Sequence, residues 1–324
     1  MLVFNERFNV LVSRYIAPTI EYSTSYTKLK KSALQELIAG KKVKNIAVDP
    51  SGKITFSFLK DDLLNALVND IELFMIRVLL QQRAVARLHE PSADPSVNWN
   101  VVTDYYYSFF LAGLLLRLCY RGTFYFDDST KNNLIKLIKG FTGQEVKLGS
   151  NYSFAICVDE ENSEYSLTLA TNGHHTHEIV WEQVALLLSH IKSLSTTNSD
   201  EYTILSRLDE IAQKQGATFP AQLRNALNYR PYYGVKEVER SYFVPNPTEF
   251  EDRWLDPIIT FTHKVDDEQQ KINLFAAYTK YLQLLSFNLL HEYFERRGRG
   301  NGILSAINKN RANKITLPSA QFKF

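Results

Sequence analysis

One stretch constrains the fold more than any other. Between residues 99 and 117, Trp99, Val102, Tyr106, Phe109, Phe110, Gly113 and Leu116 recur at helical spacing. Apolar residues fill much of the opposite side as well, which predicts a helix at the centre of the fold, with Trp99, Tyr106, Phe109 and Phe110 spaced as packing residues. The longest apolar run, 105–116, is too short for the roughly 20 residues that span a bilayer. The first residues, with Glu6 and Arg7, do not read as a signal peptide. A cytoplasmic protein without a membrane segment is therefore expected.

Around that helix the chain is mostly helical. Periodicity and breakers predict helices over 28–40, 61–89, 131–140, 178–194, onward through Gln215-Gly216, then 221–228 and 267–297. Two alternating runs across Asp49-Pro50-Ser51-Gly52 predict a hairpin over 42–59. Segments 145–148, 152–158 and 165–170 alternate like strands, whereas Gly122 and Asp127-Asp128 read as interruptions. The fold class expected is mainly α, a helical bundle with a small α/β insertion. Its parts are an N-terminal helical part over 1–120, the insertion over 121–178, and a C-terminal helical part with a basic tail over 179–324. Aromatics at 13% promise a large core. A net charge of +2 excludes a strongly basic nucleic-acid binder or an acidic mimic, but not a local basic face. Cys119 and Cys157 are too few for a disulfide framework and read as buried apolar residues.

Three constellations could carry chemistry. His174, His175 and His177 with Glu178 are ligands of the right kind for zinc, although no helical zinc spacing is present. The same residues also make an ordinary polar start to a helix, and no metal or other cofactor is expected. On a helix, Arg224 and Asn228 share a face, with Asn225 and Tyr229 beside them and Arg230 following. One cation, two amides and a phenol at a helix end suit a phosphate with a base stacked nearby. A structural network in which Arg224 pairs with a carboxylate is the competing explanation. The cations Arg296, Arg297 and Arg299, followed by Lys309, Arg311 and Lys314, could neutralise phosphates or simply favour a helix C-terminus. No phosphate-binding glycine loop, dinucleotide fingerprint or nucleophile elbow occurs.

The segment from Trp99 to Phe110, together with His177-Glu178-Ile179-Val180-Trp181 and the Arg224–Tyr229 step, resembles bacterial HEPN-like proteins. That superfamily is all-helical and rich in RNA-binding and RNA-cleaving proteins of toxin–antitoxin and antiphage systems. The resemblance implies a HEPN-like bundle, RNA as a partner, a partner protein and a homodimer. In the ribonucleases of that superfamily an arginine, often followed by a polar residue, works with a histidine four to six positions on. The pair meets across a dimer interface and positions RNA for attack by its own 2′-hydroxyl, without metal. Arg224 and Asn225 match the first half, and Tyr229 takes the histidine's place. The implied catalytic set is Arg224, Asn225 and Tyr229, with Asn228, Arg230, Arg296, Arg297 and Arg299 binding the nucleic acid. A phenol is a poor proton shuttle at neutral pH, so the sequence leaves cleavage and binding alone both open. A literal arginine–histidine match at Arg83 and His89, and His177 itself, are lesser candidates. The alternatives are a non-catalytic HEPN-like interaction subunit of a defence complex and a metal-dependent hydrolase using His175 and His177.

Overall fold

The computed structural model describes residues 15, 32–40, 42–90, 96–162, 164–171, 173, 175–197, 199–229 and 242–297. Within them the protein is mainly helical, with one five-stranded antiparallel sheet. The elements in chain order are α1 (Ala33–Ile38), β1 (Asn45–Val48), β2 (Ile54–Ser57), α2 (Lys60–Leu88) and α3 (Val97–Leu118). Then come β3 (Arg121–Tyr125), α4 (Asp128–Thr142), β4 (Asn151–Asp159), β5 (Glu164–Thr171) and α5 (Thr176–Ser193). The chain continues with α6 (Asp200–Ile211), a π-helical turn (Ala212–Gly216), α7 (Phe219–Tyr229), α8 (Asp256–Ile259) and α9 (Glu268–Arg297). No helix among the described residues is long and apolar enough to cross a membrane.

The aromatic helix α3 is central, packing against α2, α5, α7, α9 and β3. From Leu111 to Leu118 every residue is buried, on all sides of the helix, which is why its apolar pattern runs all round. Its N-terminal end differs from expectation. Ser96 Oγ caps the helix by accepting from Trp99 N, and the Trp99 side chain is 67% exposed. Helical spacing alone could not separate a first-turn indole lying beyond the rim of the core from one inside it.

Helix α2 runs antiparallel to α3: Gln81 Nε2 donates to the Thr103 carbonyl, Phe74 meets Phe110 edge-on, and Asp70 faces Arg117. Gly113 makes the close approach feasible, because a Cβ there would lie 2.4 Å from Phe74 Cε1. Above it the Arg117 guanidinium lies 3.6 Å from the Phe74 ring centre. Its Nε is 3.5 Å from Asp70 Oδ2, and one of its terminal nitrogens donates to the Gly113 carbonyl at 3.1 Å. Asp70 in turn accepts from Ser32 Oγ (2.6 Å) and Ala33 N (2.7 Å), tying α1 to the same buried pair. Burial draws the Arg117 pKa down to about 10, against the pull of Asp70, so the guanidinium stays charged at neutral pH.

The sheet order is β1-β2-β5-β4-β3. The 42–59 hairpin thus extends the strands of 121–178 through the β2–β5 ladder (Ile54 opposite Leu169, Phe56 opposite Leu167), and both regions share one sheet. Two expectations need correction. Gly122 sits inside β3 rather than interrupting the chain: a Cβ there would lie 2.5 Å from Phe154 Cζ, so the missing side chain lets that ring cover the strand. Residues 145–148 form no strand; Val146 and Leu148 pack on the core from irregular backbone instead. Cys119 is buried as expected, but Cys157 is exposed, because it lies on the outward face of β4.

The last helix, α9, is buried nearly all round, with Phe275, Tyr278, Leu282, Leu285 and Leu289 in the core. Its polar residues Thr279, Lys280, Gln283 and Ser286 are buried too. Tyr107 Oη donates to Gln283 Oε1 at 2.8 Å, pinning α9 to the central helix.

Candidate functional site

Three helices far apart in sequence bring their polar and aromatic side chains to one place. Helix α3 contributes Tyr105, Tyr106 and Phe109, the first turns of α5 contribute His177 and Trp181, and α7 contributes Arg224 and Asn225. His177 and Trp181 are one turn apart and share a face of α5. The start of that helix is fixed by Glu178, whose carboxylate accepts from His175 N at 3.3 Å. On α7, Phe219, Leu223 and Leu227 are buried, which holds the helix against the body and brings Arg224 to the edge of the aromatic cluster.

The hydrogen bonds form a chain. Trp181 Nε1 donates to Tyr105 Oη at 3.3 Å, and Tyr105 Oη lies 2.8 Å from His177 Nδ1. Arg224 uses one terminal nitrogen on Tyr106 Oη and the other on Asn225 Oδ1, both at 2.9 Å. Its guanidinium carbon lies 5.9 Å from the Tyr105 ring centre and 5.7 Å from that of Tyr106. The Phe109 ring is 4.7 Å from the His177 ring, centre to centre. Among the described residues no carboxylate pairs with Arg224, and its Nε is buried without a partner. The carboxylate network that would have explained Arg224 structurally is therefore not seen among those residues.

The electrostatics follow from burial. The imidazole of His177 is held below its ordinary pKa, first by desolvation and then by the Arg224 cation. Burial holds the Tyr105 hydroxyl well above the ordinary phenol value, so it stays protonated. Which nitrogen of His177 carries the proton sets the task of the ring. With Nδ1–H donating to Tyr105, Nε2 is a free base; with Tyr105 donating to Nδ1, the Nε2–H is a donor. A neutral imidazole beside a cation without a carboxylate partner is an arrangement suited to an anionic ligand that must give up a proton.

Other candidates fall elsewhere. Asn225 and Asn228 are both exposed, Asn225 being the partner of Arg224. Tyr229 ends α7, and its side chain lies outside the described residues, as do Arg230, Arg299, His174 and the side chains of Arg296 and Arg297. His175 is exposed at the N-cap of α5, where its backbone is extended rather than helical, and no contact among the described residues brings it to His177. No group of three or more metal-ligating side chains gathers among the described residues. His89, the lesser candidate beside Arg83, is engaged with α3 instead of solvent. It points inward, with Nε2 3.2 Å from Asp104 Oδ2, and both side chains are buried.

Burial raises the Asp104 pKa to about 6, opposed by its contact with His89. A carboxyl whose folded pKa is raised favours folding while protonated, and that contribution is lost as pH rises from about 3.8 to about 6. Asp104→Asn keeps a polar partner for His89 and removes this titration. The wild-type protein should therefore lose thermal stability relative to Asp104→Asn between pH 4 and 6. A constant difference in Tm over that interval, read by circular dichroism, would contradict the assignment.

The sequence assigned Tyr106 to packing and gave Tyr105 no role of its own, because a stripe of rings at helical spacing carries no sign of where its hydroxyls end. Their place in the site follows from two partners, His177 and Arg224, on other elements. Comparison of the chain with models of protein families, with characterised proteins and with solved structures finds no match.

Proposed function

We propose that this protein is a HEPN-like RNA-binding component of a bacterial antiphage or toxin–antitoxin system, and that it cleaves RNA without metal. One observation carries the proposal: Arg224 and His177, from different helices of one chain, face the same tyrosine pair, and no carboxylate among the described residues neutralises the arginine. The histidine that the Arg224 motif lacks at Tyr229 is supplied by α5.

In the reaction the 2′-hydroxyl oxygen of a ribose attacks the adjacent phosphorus, and the bond from phosphorus to the 5′-oxygen of the next nucleotide breaks. His177 takes the 2′-hydroxyl proton at Nε2, with Nδ1–H directed to Tyr105. The 5′-oxygen leaves with a proton from solvent or from the imidazolium, giving a 2′,3′-cyclic phosphate and a 5′-hydroxyl. Arg224 balances the charge that grows on the phosphoryl oxygens, which are best served by a cation preset in a partly desolvated place. Asn225 and Tyr106 hold the guanidinium in position.

Purified protein incubated with total RNA in EDTA should cleave it, and Arg224→Ala should reduce cleavage by about 10²–10³-fold. Intact RNA with retained binding would assign the non-catalytic subunit role instead. Intact RNA without binding at low salt would remove the RNA assignment altogether.

A further inference from the structure

The central helix leaves one stripe incompletely covered. Within 101–118 only Thr103, Tyr106, Phe109 and Phe110 are not fully buried, and Trp99 continues the stripe outward at 67% exposure. Positions 99, 103, 106 and 110 fall within roughly 60° of one another on a helix and extend over roughly 16 Å. They form the floor of a strip with cations on both sides. On the α7 side Arg224 bonds the Tyr106 hydroxyl. On the α2 side Gln81 bonds the Thr103 carbonyl, and the exposed Arg77 has its guanidinium carbon 6.0 Å from the Phe110 ring centre and 5.1 Å from that of Phe74. Among the described residues neither Arg77 nor Arg224 has a carboxylate partner.

We infer that this strip is a track for single-stranded RNA, in which Trp99 stacks a base while Arg224 and Arg77 hold phosphates to either side of Tyr106. The inference rests on the RNA assignment made above and adds the direction in which the strand runs from the reacting phosphate. Alternation of flat rings with spaced, uncompensated cations suits a strand that offers a π-face and a charge with every nucleotide. An apolar helix would satisfy the rings but not the arginines, and an acidic peptide would satisfy the arginines but leave Trp99 without a planar partner. Because α3 is capped at Ser96, Trp99 is held on a formed helix, so little ordering is required when a base lands on it.

Tryptophan fluorescence tests this on the full chain. Trp181 is fully buried and Trp254 is partly covered, which leaves Trp99 as the exposed emitter. A short oligoadenylate should quench that emission, and Trp99→Phe should abolish the quenching. Inorganic polyphosphate should bind the arginines without quenching. Trp99→Ala should weaken oligoadenylate binding by at least about five-fold, as loss of one stacked base does, and Arg77→Ala should reduce the salt dependence of binding. Unchanged affinity in Trp99→Ala, with binding still lost in Arg224→Ala, would overturn the track and leave the RNA site standing. Equal quenching by polyphosphate would overturn the stacking role. No binding of oligoadenylate by the wild-type chain would overturn both.

Discussion

His177→Ala is expected to lower RNA cleavage by about 10²–10⁴-fold, the range over which a positioned general base acts. RNA binding should change far less, because Arg224 keeps its bonds to Tyr106 and Asn225. The pH profile separates this role from a packing role. Burial and the neighbouring Arg224 cation hold the His177 pKa below the ordinary value near 6.5. The imidazole therefore remains a neutral base to lower pH than a free histidine would, and the acid limb of kcat/KM should fall below pH 6.5. Tyr105→Phe keeps the ring among Phe109, Trp181 and Phe275 but removes the hydroxyl at Nδ1. In the proposed reaction Tyr105 positions the base, so its loss should reduce kcat and move the acid limb while leaving KM nearly unchanged. Cleavage by His177→Ala at the wild-type rate would eliminate it as the base.

Arg117→Ala is expected to destabilise the protein by about 3–5 kcal/mol, read as a shift in the denaturant midpoint. The loss is large because Asp70 would remain fully buried as an unpaired carboxylate, and because the guanidinium no longer fills the space over Phe74 and the Gly113 carbonyl. Joint replacement, Asp70→Leu with Arg117→Met, removes both charges and should recover part of the loss. It should not recover all of it, since Ser32 Oγ and Ala33 N, which now donate to Asp70, would lose their acceptor at the start of α1. A loss below about 1 kcal/mol in Arg117→Ala would mean that the pair is already solvated.

Both sites depend on the same helix, and the sequence foretold them unequally. The central position of α3 was legible from 99–117, because a helix apolar on every face has no stable place but the interior. The helices α2, α5 and α9 and the 42–59 hairpin were legible for a similar reason: local periodicity is set by which face each element buries. Trp99 was misread because periodicity states the direction of a side chain but not how far the core extends along the axis. β3 was missed because Gly122 reads as a breaker until Phe154 is seen lying over it.

For the candidate site, Arg224, Asn225 and His177 were legible as residues with chemistry, each from its own local segment. That His177 and Arg224 face one tyrosine pair could not be read, because 47 positions of chain separate them and helix packing alone brings α5 and α7 onto α3. The sequence by itself determined which longer segments are helical, which face of each is apolar, and which side chains can bind an anion or move a proton; the short α8 (Asp256–Ile259) escaped it. Tertiary structure alone decided which of those side chains meet, which are desolvated and so shifted in pKa, and that Trp99 stands outside the core. Meeting and desolvation depend on distances across helix interfaces, which no local pattern along the chain encodes.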